Sequence, residues 1–193
     1  MRSIPTIAEP DVMRALQALP GIVAINDLDA QLYVRGGSSD QNLFLLDGAP
    51  VYGAYHLFGM NGAFNPDAIE HVDFFRGTRS ARYGGALSSV VDITQAEAGT
   101  RHTVGGLSMI GARLTQRGSI GEHVAWMASG RRTHTDALIG ARMPFGFYDA
   151  QTKVVASTAG HELTFSGFAS GDRFQMFFDS TGSGEFRSRW KNA

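Results

Sequence analysis

The sequence predicts an α+β chain, with short helices and strands mixed up to about residue 98 and antiparallel strands alone beyond it. Three observations carry this reading. Twenty-four glycines in 193 residues exceed the roughly 7% of average proteins and fall between short alternating segments, as turns do. Helix-start signals occur only before residue 98. After it, apolar and polar residues alternate with a period of two.

Pro10, read as a first helical position, is followed by Asp11 and by Val12, Leu16 and Leu19 at helical spacing until Pro20-Gly21; this predicts a short amphipathic helix. Leu32 to Val34 and Leu43 to Leu46 read as strands around the polar cluster Gly36-Gly37-Ser38-Ser39-Asp40. Asp47-Gly48 between Leu43–Leu46 and Ala49-Pro50-Val51-Tyr52 is the strongest hairpin signal in the chain. Pro50 assigns the second arm to an edge or a loop. Asn65-Pro66-Asp67 reads as an N-cap, an N1 proline and a first-turn acid, opening a helix of a turn or two that carries Ile69. Strands are expected near His71 to Phe75 and at Ser89 to Ile93.

In Phe147 to Ser157 the odd positions Asp149, Gln151 and Lys153 are polar, while Tyr148, Ala150, Val154 and Ala156 are mostly apolar. His161 to Gly171 alternates Leu163, Phe165 and Ala169 with Glu162, Thr164, Ser166 and Ser170, and Phe168 breaks the pattern. His123 to Arg131 repeats it more weakly through Val124, Trp126 and Ala128. Such two-faced strands build either a membrane barrel wall, with lipid on one side and lumen on the other, or a soluble sandwich.

Lys plus Arg number 17 and Asp plus Glu 18, a balance that argues against nucleic acid as a partner. The absence of cysteine excludes disulfides and thiolate metal sites. No apolar run reaches the length of a transmembrane helix, and Met1-Arg2-Ser3-Ile4-Pro5 lacks the apolar core of a secretory signal. His-Glu-x-x-His, Gly-x-Ser-x-Gly and Walker-type glycine motifs are missing, so neither an enzyme nor a cofactor is expected.

Four landmarks follow in order between residues 11 and 94: Leu16-Gln17-Ala18-Leu19-Pro20-Gly21; Val34-Arg35-Gly36-Gly37; Leu46-Asp47-Gly48-Ala49-Pro50-Val51; and Phe64-Asn65-Pro66 through Phe75-Arg76-Gly77 to Tyr83-Gly84. By their order and spacing, residues 11 to 94 resemble the plug of TonB-dependent outer-membrane receptors. The landmarks close on Ser88-Ser89-Val90-Val91-Asp92-Ile93, and Ser129-Gly130-Arg131-Arg132-Thr133 and Phe147-Tyr148-Asp149 look like early wall strands. The resemblance implies a plug domain over 1–98 and the N-terminal part of a transmembrane β-barrel over 99–193, as five or six strands of an incomplete wall.

The function implied is that of a gate in the outer membrane. A scarce nutrient, most often a ferric siderophore, binds from outside, and the TonB energy-transducing complex pulls on a segment upstream of the plug; vitamin B12, glycans and peptides stay open as cargo. Arg35 and Arg76 match plug arginines that pair with carboxylates of the barrel wall, a role suited to the planar, always charged guanidinium. Tyr52, Tyr55, His56 and Phe58 fall where plugs present an apex to the ligand; packing is the alternative. Gly36, Gly37, Gly48, Gly77, Gly84 and Gly85 read as turn and close-approach glycines.

Nothing before Pro10 resembles the TonB contact segment, and an alternating run begins at Phe186-Arg187-Ser188-Arg189-Trp190, so the chain is expected to be cut short at both ends. Alone it is expected neither to insert nor to transport. Short connections near 118–121 and 158–160 are expected on the periplasmic side and longer ones near 132–146 and 172–185 outside, which requires a tight hairpin near Ile110-Gly111. A soluble α/β binding module and a receptor with a signalling output are the competing readings.

Overall fold

The computed structural model describes residues 10–77, 80–134, 145–178 and 184–192. Among them the chain divides into two compact units, 10–97 and 98–192.

In the first unit, α1 spans Val12–Gln17. Asp11 is its N-cap, accepting from the Met13 amide at 2.7 Å. The other oxygen of Asp11 accepts from the Gly62 amide at 2.7 Å, so one carboxylate both starts the helix and ties it down. Pro10 therefore lies outside the helix and not at its first position. The apolar pattern also overshoots the end: the Leu19 amide bonds the Leu16 carbonyl at 2.9 Å, Pro20 has no amide to continue the ladder, and Gly21 turns with φ 84°.

β1 (Ile22–Val23) pairs antiparallel with β2 (Tyr33–Val34). β3 (Leu43–Leu46) and β4 (Ala49–Pro50) form the expected hairpin, and φ values of 48° at Asp47 and 82° at Gly48 make its turn type I′. β5 (Tyr55–His56) pairs with β6 (Asn61–Gly62). A four-stranded sheet has the order β4, β3, β8 (Val90–Gln95), β7 (Ile69–Phe75), with β3 and β8 parallel. Pro50 thus sits on an edge strand, where a missing amide matters least. The Asp47 carboxylate accepts from the backbone and side-chain nitrogens of Gln95 at 2.9 and 3.1 Å, fastening the turn to the end of β8. Val90, Val91 and Ile93 are fully buried, as befits a strand that meets parallel pairing and covered faces.

Asn65 caps Pro66–Ala68 as expected, but this is a single 3-10 turn and Ile69 belongs to β7. The Ala68 carbonyl accepts from the Ala96 amide at 2.8 Å, which draws the chain into the sheet before a second helical turn can form.

The second unit is an antiparallel meander of β9 (His102–Leu107), β10 (Gly111–Ile120), β11 (Val124–Thr133), β12 (Phe145–Thr158), β13 (His161–Phe178) and β14 (Gly184–Asn192). Among the described residues β9 and β14 are its two open edges. The hairpin required near Ile110 is present: Ser108 Oγ accepts from the Ile110 and Gly111 amides at 3.3 and 3.0 Å. The turns at 121–123 and 159–160 share one end of the sheet, opposite the 108–110 turn. The longer connections expected at that opposite end fall largely on 135–144 and 179–183, outside the described residues. Much of 172–185 is strand, because β13 continues past Phe168 and pairs with β14 through Phe178 and Gly184; a break in side-chain alternation does not break the backbone ladder.

Cross-strand partners share a face. Thr115, Ser129, Gln151, Arg131, Asp149 and Ser170 are all buried and belong to one face by register. Leu107, Leu114, Ile120, Leu163 and Phe165 are exposed and belong to the other. Polar residues are buried and large apolar residues are exposed, the reverse of a soluble sheet and the pattern of a wall that meets hydrocarbon.

Candidate functional site

Arg35 and Arg76 converge on the Pro20-Gly21 turn. Val34 to Gly37 is a tight turn closed by the Gly37 amide on the Val34 carbonyl at 2.9 Å, with φ 52° at Arg35 and 79° at Gly36. A left-handed non-glycine residue costs about 1–3 kcal/mol and persists only where its surroundings dictate it. The Arg35 amide bonds the Gly21 carbonyl at 3.3 Å. Arg76 follows β7 and its guanidinium donates to the Pro20 carbonyl. The Arg35 guanidinium lies against Gly77, 3.0 Å from where a Cβ would stand. Both arginines are exposed, and among the described residues neither forms an ion pair.

The glycines divide. Gly36 and Gly48 (φ 82°), with Gly85 (φ 79°), hold left-handed turns. Gly37 is a close approach, since its Cβ would stand 2.6 Å from Ser88 Oγ, an atom that donates to the Val34 carbonyl at 3.0 Å. Gly77 leaves room for Arg35. Gly84 has neither a left-handed φ nor a neighbour within 4 Å of a Cβ, and nothing in the structure explains a glycine there.

The four aromatic apex candidates do not come together. His56 is fully buried, because alternation along β5 turns it inward; it presents no surface to a ligand. The Tyr55 hydroxyl accepts from the Leu32 amide at 3.1 Å and its ring meets Phe44 edge-on at 5.5 Å. Burial, chiefly, pushes the Tyr55 hydroxyl far above the ordinary tyrosine range, against the Leu32 amide bond that lowers it. Tyr52 is 81% exposed and lines a cleft of about 480 Å³ with Arg82 and Tyr83. Phe58 is exposed on a separate recess bounded by Asn26, Asp29 and Gln31. It sits in a run of three left-handed residues, Leu57 (φ 52°), Phe58 (φ 60°) and Gly59 (φ 104°). That run is held by the Ala30 amide on the Gly59 carbonyl at 2.7 Å and by Arg14 on the Met60 carbonyl at 3.0 Å.

Sequence reasoning missed three polar contacts. Tyr83 donates to Asp92 at 2.9 Å, and that bond, more than burial, raises its hydroxyl above the usual range. Asp47 grips Gln95 as described. Arg131 Nε donates to Asp149 Oδ2 at 2.7 Å, with side chains 2% and 0% exposed, and its guanidinium carbon stands 5.1 Å from the Phe147 ring centre.

A small mixed sheet with left-handed turns at Arg35 and at Leu57–Gly59 is joined in one chain to a sheet of inverted polarity, the architecture of a plug followed by barrel-wall strands. Residues 3–91 match the family model for the TonB-dependent Receptor Plug Domain. That match assigns the N-terminal unit as a TonB-dependent receptor plug domain, and the fold of the whole chain is similar to the plug and wall strands of solved siderophore receptors. The ferric enterobactin receptor PfeA of Pseudomonas aeruginosa, solved as a mutant with enterobactin, has a similar fold (TM-score 0.60, 20% identity, 84% of this chain and 31% of that one). The siderophore receptor PirA of Pseudomonas aeruginosa matches with TM-score 0.58 and 19% identity over 97% of this chain and 38% of that one. PirA of Acinetobacter baumannii matches with TM-score 0.58 and 20% identity, over 87% and 30%. The chain spans about a third of the length of these receptors.

Proposed function

We propose that this chain is the gate and first wall segment of an energy-coupled outer-membrane importer for a scarce chelated nutrient, a ferric siderophore being the cargo class favoured. The observation that carries the reading is the inverted polarity of strands β9–β13, which a soluble binding module would not tolerate. The structural likeness to siderophore receptors supports the cargo class. The 121–123 and 159–160 turns are then periplasmic and the 108–110 turn extracellular.

Arg35 and Arg76 seat the plug through wall carboxylates. Their convergence on one turn, their exposure and the strained backbone that holds Arg35 outward all support this role. Pulling by the TonB complex breaks these pairs and opens a path. Among the described residues the sheet has two open edges, which hydrocarbon does not accept, so this segment by itself is expected not to conduct.

The test is energy-dependent uptake of a radio-iron catecholate chelate in cells with and without the receptor that carries this chain. Uptake lost with the receptor and with the proton gradient supports the reading. Unchanged uptake overturns the cargo, and recovery of the receptor in soluble extracts overturns the membrane assignment.

A further inference from the structure

α1 is too short to hold itself. Helices under about 12 residues are marginal in water without tertiary support, and α1 has six. Val12, Met13 and Leu16 are buried beneath it. Asp11, Arg14 and Gln17, spaced by three and so close together on one side, each bond the backbone of a distant segment. Asp11 accepts from the Gly62 amide at 2.7 Å. Arg14 donates to the Asp27 carbonyl at 2.7 Å and to the Met60 carbonyl at 3.0 Å. Gln17 donates to the carbonyls of Asp29 and Gln31 at 2.8 and 2.9 Å.

The segments that α1 bridges also grip each other. The Ala30 amide bonds the Gly59 carbonyl at 2.7 Å, and Gln31 Nε2 donates to the Phe58 carbonyl at 3.2 Å. The Gln31 side chain fills the place that a Cβ on Gly59 would take. Within this grip Leu57, Phe58 and Gly59 stand at φ 52°, 60° and 104°. A left-handed residue that carries a side chain keeps that conformation only while its surroundings dictate it. The turn is therefore a spring, and Arg14 on the Met60 carbonyl is one of the hands that holds it.

We propose that α1 is a latch on the 57–60 turn. Seated, it holds the turn left-handed through Arg14 and fixes the strand that follows through Asp11. A pull on the chain before Pro10 loads the Asp11–Gly62 bond first, then Arg14, then Gln17, so the ties break in succession and not together. The turn then relaxes, and α1 opens with residues 57–63 as one unit while the four-stranded sheet stays closed. Regions of low local stability open as contiguous units of this kind. Only the source of the pull rests on the importer reading; the latch itself lies in contacts within this unit.

The test reads amide hydrogen exchange by residue in the receptor that carries this chain. In wild type the amides of Ala30, Met60 and Ala63 should share one protection factor, lower than that of β8. Arg14→Met keeps a helix-forming stem and removes both donors, and none of the three amides bonds Arg14. Their exchange should rise about tenfold, the worth of a hydrogen bond to a charged group, with β8 unchanged. Adding Phe58→Gly should bring the exchange back toward wild type, since glycine accepts a left-handed φ freely and the Phe58 side chain is exposed. Unmoved reporters, an equal rise in β8, or no recovery with Phe58→Gly overturns the latch. In single-molecule pulling on the N-terminal segment, the first rupture should come at lower force in Arg14→Met than in wild type; equal forces overturn the order of release. Exchange needs neither cargo nor energy, so a failed uptake test with responding reporters overturns the importer reading alone.

Discussion

Arg131 and Asp149 face each other across β11 and β12, Nε to Oδ2 at 2.7 Å, with both side chains buried. The pair flanks the Thr115–Ser129 hydroxyl contact at 2.8 Å on the same face. Breaking a buried pair strands the remaining charge, which costs about 3–5 kcal/mol. Asp149→Ala should therefore lower the unfolding free energy of the receptor by about that amount in denaturant titration. The double variant Arg131→Met, Asp149→Leu, which leaves no orphan charge, should be close to wild type. A double variant as unstable as the single would show that the pair is not what sets the cost.

Two glycine substitutions separate crowding from conformation. Gly37→Ala places a methyl against Ser88 Oγ and should cost about 1–3 kcal/mol through overpacking. Gly84→Ala meets open space at an ordinary φ and should stay within about 0.5 kcal/mol of wild type. Thermal unfolding of the two variants side by side checks both; equal destabilisation would contradict the geometry.

Much of this was legible in residue order. Asp47-Gly48 specified a type I′ turn because few residue pairs accept two positive φ values, and the alternation of Asp149, Gln151 and Tyr148, Ala150 specified two faces. Which face was buried was not legible, since a soluble and a membrane sheet write the same alternation. The partnership of Arg131 and Asp149 was hidden for another reason: register across the long connection between β11 and β12 depends on where each strand ends, which alternation does not give. His56 was a candidate apex residue because it falls in the segment between Val51 and Asn61 that resembles a plug apex, whereas the β5–β6 pairing, which is not legible in residue order, turns its side chain inward.

Tyr55 gives the plug an alkaline dependence. In the unfolded chain its hydroxyl ionises near pH 10, whereas burial raises it in the folded plug. The folded state thus holds the proton more tightly, so the contribution is complete below the unfolded value and is lost as pH rises beyond it. Between about pH 9 and 11 the denaturant midpoint should fall more steeply for wild type than for Tyr55→Phe. Parallel profiles for the two proteins would show that Tyr55 is not the group responsible.

Arg35 separates stability from gating. Its left-handed backbone favours glycine, so Arg35→Gly relieves strain of about 1–3 kcal/mol while adding unfolded-state entropy of about 0.5–1 kcal/mol. The variant should be as stable as wild type or slightly more so by thermal unfolding. Arg35→Lys keeps the charge but not the bidentate fork. If Arg35 seats the plug through a wall carboxylate, both variants should leak: a large antibiotic that normally cannot pass the receptor should enter cells expressing Arg35→Gly faster than wild type, with Arg35→Lys intermediate. Faster entry without loss of stability is the signature of a released gate, because a misfolded plug would raise entry only together with a loss of stability. An unchanged permeability for Arg35→Gly would remove the seating role and leave the strained turn without a function.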